Sequence, residues 1–252
     1  MAAAICYAQA VPAADRLCFA LDVDTQDAAL ALVDELKDVV GCFKIGLELF
    51  IATGPQLVRA VRARGVDVFL DLKLHDISAT VAAAVKSAVA LDVRYLTVHA
   101  SGGPGMLAAA ATAAGTSTTI LAVTALTSLS EGDLRAVGFV ESASSLVLRL
   151  ARLAEASGVP GIVCSPREVQ LVRQAAPALI TVTPGIRGAS DDNGDQVRTM
   201  NAGDAIAAGA HVLVVGRPIR LAPDRRAAAS AIAADIDAAA LIMPITTSRS
   251  SA

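Results

Sequence analysis

Tryptophan is absent from the 252-residue chain, and aromatic residues of every kind make up 3% of it. No run of lysine and arginine compensates: 21 basic side chains stand against 24 acidic ones, a formal charge of −3. A nucleic-acid backbone or a stacked base would find little to grip, so no nucleic-acid partner is expected. Cysteine is scarce as well. The four, Cys6, Cys18, Cys42 and Cys164, match neither a disulfide framework nor a zinc pattern, and read as reduced, small apolar residues of a cytoplasmic protein. Long runs of large apolar side chains are also missing. The mean hydropathy of +0.58 comes mostly from alanine, and nothing approaches the ~18 residues of leucine, isoleucine or valine that suggest a membrane span. The first residues, MAAAICYAQAVPAAD, lack a positive leader region and a long apolar run; they read as a frayed extension, not a signal peptide.

Short apolar or β-branched runs recur about every 30 residues, separated by stretches of helical period, which is the pattern of parallel β/α construction. The spacing predicts eight strands, at 17–23, 42–46, 68–74, 95–100, 120–126, 161–165, 179–185 and 212–216. Eight such units in about 250 residues is the usual size of an α/β (β/α)8 TIM barrel. No linker or repeat interrupts them. A single barrel domain is expected over 15–240, with an N-terminal extension at 1–14 and a tail at 241–252, rich in serine and threonine after Pro244.

The helices carry their own signals. Leu32, Val33, Leu36 and Val40 form an apolar stripe. Pro55 opens a helix that turns Leu57, Val58 and Val61 inward and ends near Gly65. Ser165, Pro166 and Glu168 have the spacing of a capping box, which stops the preceding strand at Ser165 and starts a helix burying Val169 and Val172. Gly103-Pro-Gly105-Met-Leu-Ala108 formally matches a dinucleotide fingerprint, but no acidic residue lies between Asp92 and Glu131 to hold a ribose, and Pro104 reads as a helix opener.

Chemistry concentrates in Phe69-Leu-Asp-Leu-Lys-Leu-His-Asp76. Strand alternation places Leu70, Leu72 and Leu74 toward the helices and Asp71, Lys73 and His75 toward the barrel axis. Buried charge there is hard to justify by stability alone, since an attraction of about 4 kcal/mol at 4 Å and an effective dielectric near 20 is consumed by desolvation. Other strand ends repeat the theme with Asp22, Lys44, His99, Thr127-Ser128, Pro184-Gly-Ile-Arg187 and Gly216-Arg217. The last two follow strands seven and eight, where this architecture commonly holds a phosphate; Gly216 lets the backbone approach and Arg217 supplies a charged fork. The polar stretch Gly188–Asp195, between Arg187 and Gln196, reads as a lid.

With Asp71-x-Lys73-x-x-Asp76 joined to ALDVD, FKIG, TVHASGG, LTS, TPGIR, DQ-x-R and VGRPI, the chain from about Leu17 to Pro223 closely resembles the orotidine 5′-phosphate decarboxylase family, whose diagnostic stretch is DLKLHDI. The resemblance implies conversion of orotidine 5′-monophosphate to uridine 5′-monophosphate and CO2, the last step of de novo UMP synthesis, with no cofactor and no metal. It implies Lys73 as proton donor to the C6 carbanion and Asp71 as the carboxylate facing the departing group. Asp76 and Thr80 are implied to serve the neighbouring subunit's site in a homodimer; three residues of extended chain cover about 10 Å, so Asp76 need not fold back on its own Lys73. Asp22 and Lys44 are implied for the ribose, Thr127 for the pyrimidine edge, and Pro184, Arg187, Gln196, Gly216 and Arg217 for the phosphate end. Ser78 stands where many members have proline, at a helix start where serine can cap. The alternatives are a Mg-dependent sugar-phosphate decarboxylase or aldolase of the same barrel superfamily, which shares the Asp-x-Lys-x-x-Asp core; a Schiff-base aldolase acting through Lys44 or Lys73; and a non-catalytic phosphate-ligand-binding barrel.

Overall fold

A computed structural model describes residues 11–187 and 199–242. Eight parallel strands close into a barrel in chain order: β1 Leu17–Ala20, β2 Cys42–Gly46, β3 Asp67–Leu74, β4 Tyr95–His99, β5 Thr119–Val123, β6 Gly161–Val163, β7 Ile180–Thr183 and β8 Val212–Val215. Helices follow the strands and cover the sheet, so the fold is the expected single-domain α/β barrel with its helical shell outside. Among the described residues no helix is long and apolar enough to cross a membrane.

Two cores result from the period of two along each strand. Phe19, Phe43, Ile45, Leu70, Leu96 and Val98 face outward into the helical layer. Cys18, Ala20, Cys42, Phe69, Tyr95, Leu121, Val182, Val212 and Val214 fill the barrel. Phe69 and Tyr95 meet edge to face inside, with ring centroids 5.8 Å apart, a favoured aromatic geometry. Cys18, Cys42 and Cys164 are buried free thiols.

The strands are shorter at their C-terminal ends than the sequence pattern suggests, because the ladder stops where the barrel mouth opens while apolar residues continue into the loops. β1 ends at Ala20, β5 at Val123, β6 at Val163 and β7 at Thr183, leaving Asp22, Thr127, Ser165 and Pro184 on the loops. β3 begins one residue early, at Asp67, whose carboxylate is held by Arg62 (2.8 Å) and Arg94 (2.9 Å) at the barrel's closed end.

Local signals fare unevenly. Pro55 and Pro104 each open a helix, and Leu57, Val58 and Val61 are buried. Leu32, Val33 and Leu36 share the buried face of the helix Gln26–Leu36, and Val40 is buried just beyond its end. The expected capping bonds at Ser165 form, with Glu168 accepting the Ser165 N–H (3.0 Å) and the serine hydroxyl accepting the Arg167 N–H (3.2 Å), but the residues between them make a turn and the regular helix starts only at Val169. Pro166–Glu168 is a turn, which keeps Val169 and Val172 buried on a helix one turn shorter. A reciprocal capping box forms between Ser130 and Asp133. Ser78 is no cap. It is the first helical residue after Ile77, and the Ile77 N–H is taken by the Asp76 carboxylate at 2.6 Å.

The closed end of the barrel holds an imidazole that must stay neutral. His211 Nδ1 accepts the Thr181 N–H (3.0 Å), and buried Arg16 grips the carbonyls of His211 and Ala210. Burial, with the charges of Arg173 and Arg16, pushes the His211 pKa down to about 3. A histidine depressed in the folded state contributes its full share of stability above its unfolded pKa of about 6.5, and that share is lost as pH falls toward the folded value. Urea unfolding of the wild type should therefore show stability falling below pH 6.5, by an order of a few kcal/mol before the folded value is reached. His211→Asn, which keeps an acceptor that does not titrate there, should lack that part of the slope; parallel curves for the two proteins would contradict the assignment.

Candidate active site

Four charges of alternating sign line the mouth between β1 and β3. Asp22 follows β1 and is half exposed, while Lys44 points inward from β2 with 14% of its side chain accessible; their closest atoms are 3.5 Å apart. Lys44 Nζ lies 3.8 Å from Asp71 Oδ2, and Lys73 Nζ lies 2.8 Å from the same oxygen. A single ion in this setting would be costly to desolvate, whereas an alternating row compensates each charge with its neighbours. Burial pushes the Asp71 pKa up, but the charges of Lys44 and Lys73 and hydrogen bonds from Lys73 and Thr97 more than offset this and hold it below the usual aspartate value.

The alternation expected along β3 holds for direction but not for backbone. Asp71 and Lys73 face the interior and Leu72 and Leu74 pack on the helical core. Lys73, however, has φ +51°, in the left-handed region, and β3 is out of step with β4 between Leu70 and Leu74. This bulge lets two ionisable residues enter one small region. His75 does not follow them: it is exposed on the rim, its ring 5.6 Å from that of His99. Burial, then the charges of His75 and Lys73, lower the His99 pKa against an opposing pull from Asp71.

A cavity of about 500 Å³ opens over this row, within the size range of small-ligand sites. It brings together nine of the residues singled out from sequence: Asp22, Lys44, Asp71, Lys73, Thr127, Pro184, Arg187, Gly216 and Arg217. Its floor is apolar, with Ala20, Phe69, Val123, Val163 and Val214. Its charged lining comprises the carboxylates and lysines from β1 to β3 and the arginines Arg187, Arg217 and Arg220 after β7 and β8. Arg187 is buried, with its backbone N–H on Met200 O (2.9 Å) and one guanidinium N–H on Ile186 O (2.7 Å). Gly216 matters by what it lacks: a Cβ there would come within 3.1 Å of Asp22 Oδ2. A smaller cavity of about 190 Å³ shares Asp22, Lys44, Asp71 and Lys73 and extends past Gly46 and Glu48.

Asp76 and Thr80 are placed elsewhere. Both are exposed, and Asp76 makes no ion pair with the lysines of its own chain among the described residues. Gln196 and the lid segment Gly188–Asp195 lie outside the described residues. One cavity residue and one residue behind the cavity wall escaped the sequence reading. Arg220 lines the cavity one helical turn after Arg217, a spacing of three that could have signalled it. Thr97 is fully buried beneath Asp71 and was detectable only as the inward residue between Tyr95 and His99.

This chain matches, over residues 15–232, the family model described as orotidine 5′-phosphate decarboxylase / HUMPS family. It is 51% identical over 223 residues to the orotidine 5′-phosphate decarboxylase of Anaeromyxobacter sp. (strain K), covering 88% of this chain and 98% of that protein. The corresponding protein of Moorella thermoacetica is 48% identical over 235 residues, covering 89% and 93%. The crystal structure of orotidine 5′-phosphate decarboxylase from Lactobacillus acidophilus superposes with a TM-score of 0.79 at 35% identity, over 88% of this chain and 99% of that one. With the fold, the charged row and these similarities in place, the chain belongs to the orotidine 5′-phosphate decarboxylase / HUMPS family.

Proposed function

We propose that the protein is a carboxy-lyase that converts orotidine 5′-monophosphate to uridine 5′-monophosphate and CO2, with Lys73 as the proton donor. The observation that carries this reading is the Lys73 ammonium 2.8 Å from Asp71, in a cavity that Arg187, Arg217 and Arg220 also line. Breaking the bond between C6 and the carboxyl carbon leaves its electron pair on C6, where no adjacent carbonyl delocalises it well. A fixed ammonium beside C6 offsets that charge and then delivers a proton to it. Asp71, kept anionic by its two lysines, holds Lys73 in place and faces the leaving carboxylate.

The rest of the cavity divides the substrate. Asp22 and Lys44 meet the ribose hydroxyls, Thr127 the pyrimidine edge, and Pro184, Arg187, Gly216 and Arg217 the phosphate end, with Gln196 and the lid completing it. Binding energy from the remote phosphate can thereby be used to position C6 against Lys73. No organic cofactor or metal is required by this scheme. Asp22 and Asp71 are both engaged by lysine ammoniums, which disfavours a divalent cation between them and weighs against the magnesium-dependent alternative. Lys73 Nζ is held by Asp71 at 2.8 Å, a bond that a Schiff-base nucleophile would have to give up.

A homodimer in the cytoplasm completes the reading. Asp76 and Thr80 are exposed, and Ile77 beside them is 72% exposed, an apolar residue between polar ones that suits a second copy of this chain. The dimer brings each Asp76 and Thr80 to the partner's cavity.

Loss of orotidine 5′-monophosphate absorbance, followed with and without EDTA, tests the function. Turnover should proceed unaffected by chelator, and Lys73→Ala should lose at least about 10³-fold in rate while still binding uridine 5′-monophosphate by calorimetry; wild-type-like turnover by that variant removes the assignment. Arg217→Ala should lower kcat/KM by roughly 10- to 100-fold, as expected for one charge-assisted contact, and spare substrate lacking the phosphate. Equal losses on both substrates would place Arg217 elsewhere. Mixing inactive Lys73→Ala with inactive Asp76→Asn should restore up to about one quarter of wild-type activity, because half the dimers then carry one intact shared site. No recovery, or a monomer in the ultracentrifuge, would end the shared-site proposal.

A further inference from the structure

Between the paired residues Leu70–Leu96 and Leu74–Val98, β3 has three residues, Asp71, Leu72 and Lys73, where β4 has one, Thr97. A regular ladder cannot satisfy three residues with one. The Lys73 N–H therefore lacks a normal strand partner and is taken by Thr97 Oγ1 at 2.9 Å. The same hydroxyl lies 2.9 Å from Asp71 Oδ1. The roles follow from chemistry: an amide can only donate, so Oγ1 accepts from it, and a carboxylate can only accept, so the hydroxyl proton goes to Asp71. The other Asp71 oxygen holds Lys73 Nζ. Thr97 is fully buried, so neither contact is available to water as a substitute.

Resting on the proposed decarboxylase reading, we propose that Thr97 is a positioning residue for the reaction. Its single hydroxyl locks Lys73 in the left-handed backbone conformation and orients the Asp71 carboxylate that aims the Lys73 ammonium at the substrate. One side chain on a neighbouring strand thus fixes both ends of the reacting pair, the backbone of one member and the carboxylate of the other. The same bond favours the anionic form of Asp71. Other charges facing that carboxylate are Lys44 from β2, Asp22 beyond it after β1, and Lys73 on its own strand; from β4 comes His99, with His75 on the rim.

Thr97→Val keeps the shape and removes both hydrogen bonds, while Thr97→Ser keeps both. The valine variant should lose about 10- to 100-fold in kcat, the usual cost of removing a supporting hydrogen bond behind a reacting group, with a much smaller change in KM. The acid limb of its kcat profile should move to higher pH, as should the Asp71 carboxyl titration followed by carbon NMR in the unliganded protein. Serine should restore both. Should valine fail to fold, Thr97→Ala is read the same way. A valine or alanine variant with wild-type kcat and an unmoved Asp71 titration overturns the inference while leaving the decarboxylase reading intact. Absence of decarboxylation by the wild type overturns that reading, and with it any role of Thr97 in the reaction; the Asp71 titration then reports only on the hydrogen bond.

Discussion

The ion pair between Asp71 and Lys73 is the constraint to which the rest of the mouth conforms. Two residues apart on one strand, their side chains meet at 2.8 Å, and β3 surrenders its ladder with β4 to allow it. A charge left alone at this depth would be strongly destabilising, because desolvation in a medium of low dielectric outweighs any single attraction. The row Asp22, Lys44, Asp71, Lys73 resolves this by alternating sign, so each member has a neighbour of opposite charge. Electrostatics of this kind is preorganised: the field at the cavity is present before substrate arrives.

Barrel architecture separates what maintains the fold from what performs chemistry. At the closed end, Arg62 and Arg94 converge on Asp67, Arg16 binds backbone carbonyls, and buried His211 accepts the Thr181 N–H. These contacts tie strand starts together and line neither of the two cavities at the mouth. Between the ends, Phe69, Tyr95, Leu121 and Val182 seal the interior, giving the charged row an apolar floor. Loops above that floor are free to carry reactive groups because the strands beneath them are already fixed by packing.

Much of this was legible in the chain. Alternation along Phe69–Asp76 was enough to send Asp71 and Lys73 inward, and the rhythm of strands and helices was enough for the barrel. Legibility was partial where a local rule gave the bonds but not the extent of an element. Ser165 and Glu168 have capping-box spacing and make the capping bonds, yet Pro166–Glu168 forms a turn and the regular helix starts late. Ser78 does not cap because the helix starts one residue earlier than that role needs: Ile77 holds the cap position and Ser78 is already helical. Thr97 was invisible because a threonine in a strand has an ordinary structural reading, and only the out-of-step pairing of β3 with β4 gives its hydroxyl two partners.

Residue type and period by themselves determined which side chains face the barrel axis along the regular strands, His75 beyond the bulge excepted, and which strand ends carry charge, since both depend on local backbone geometry repeated along the chain. The tertiary structure alone decided the distances among them, the left-handed turn at Lys73, the late helix after Glu168 and the exposure of Asp76. Those features depend on which strand lies beside which, and in what register. Closure of the barrel sets that register through packing across the whole sheet, and no single segment encodes it.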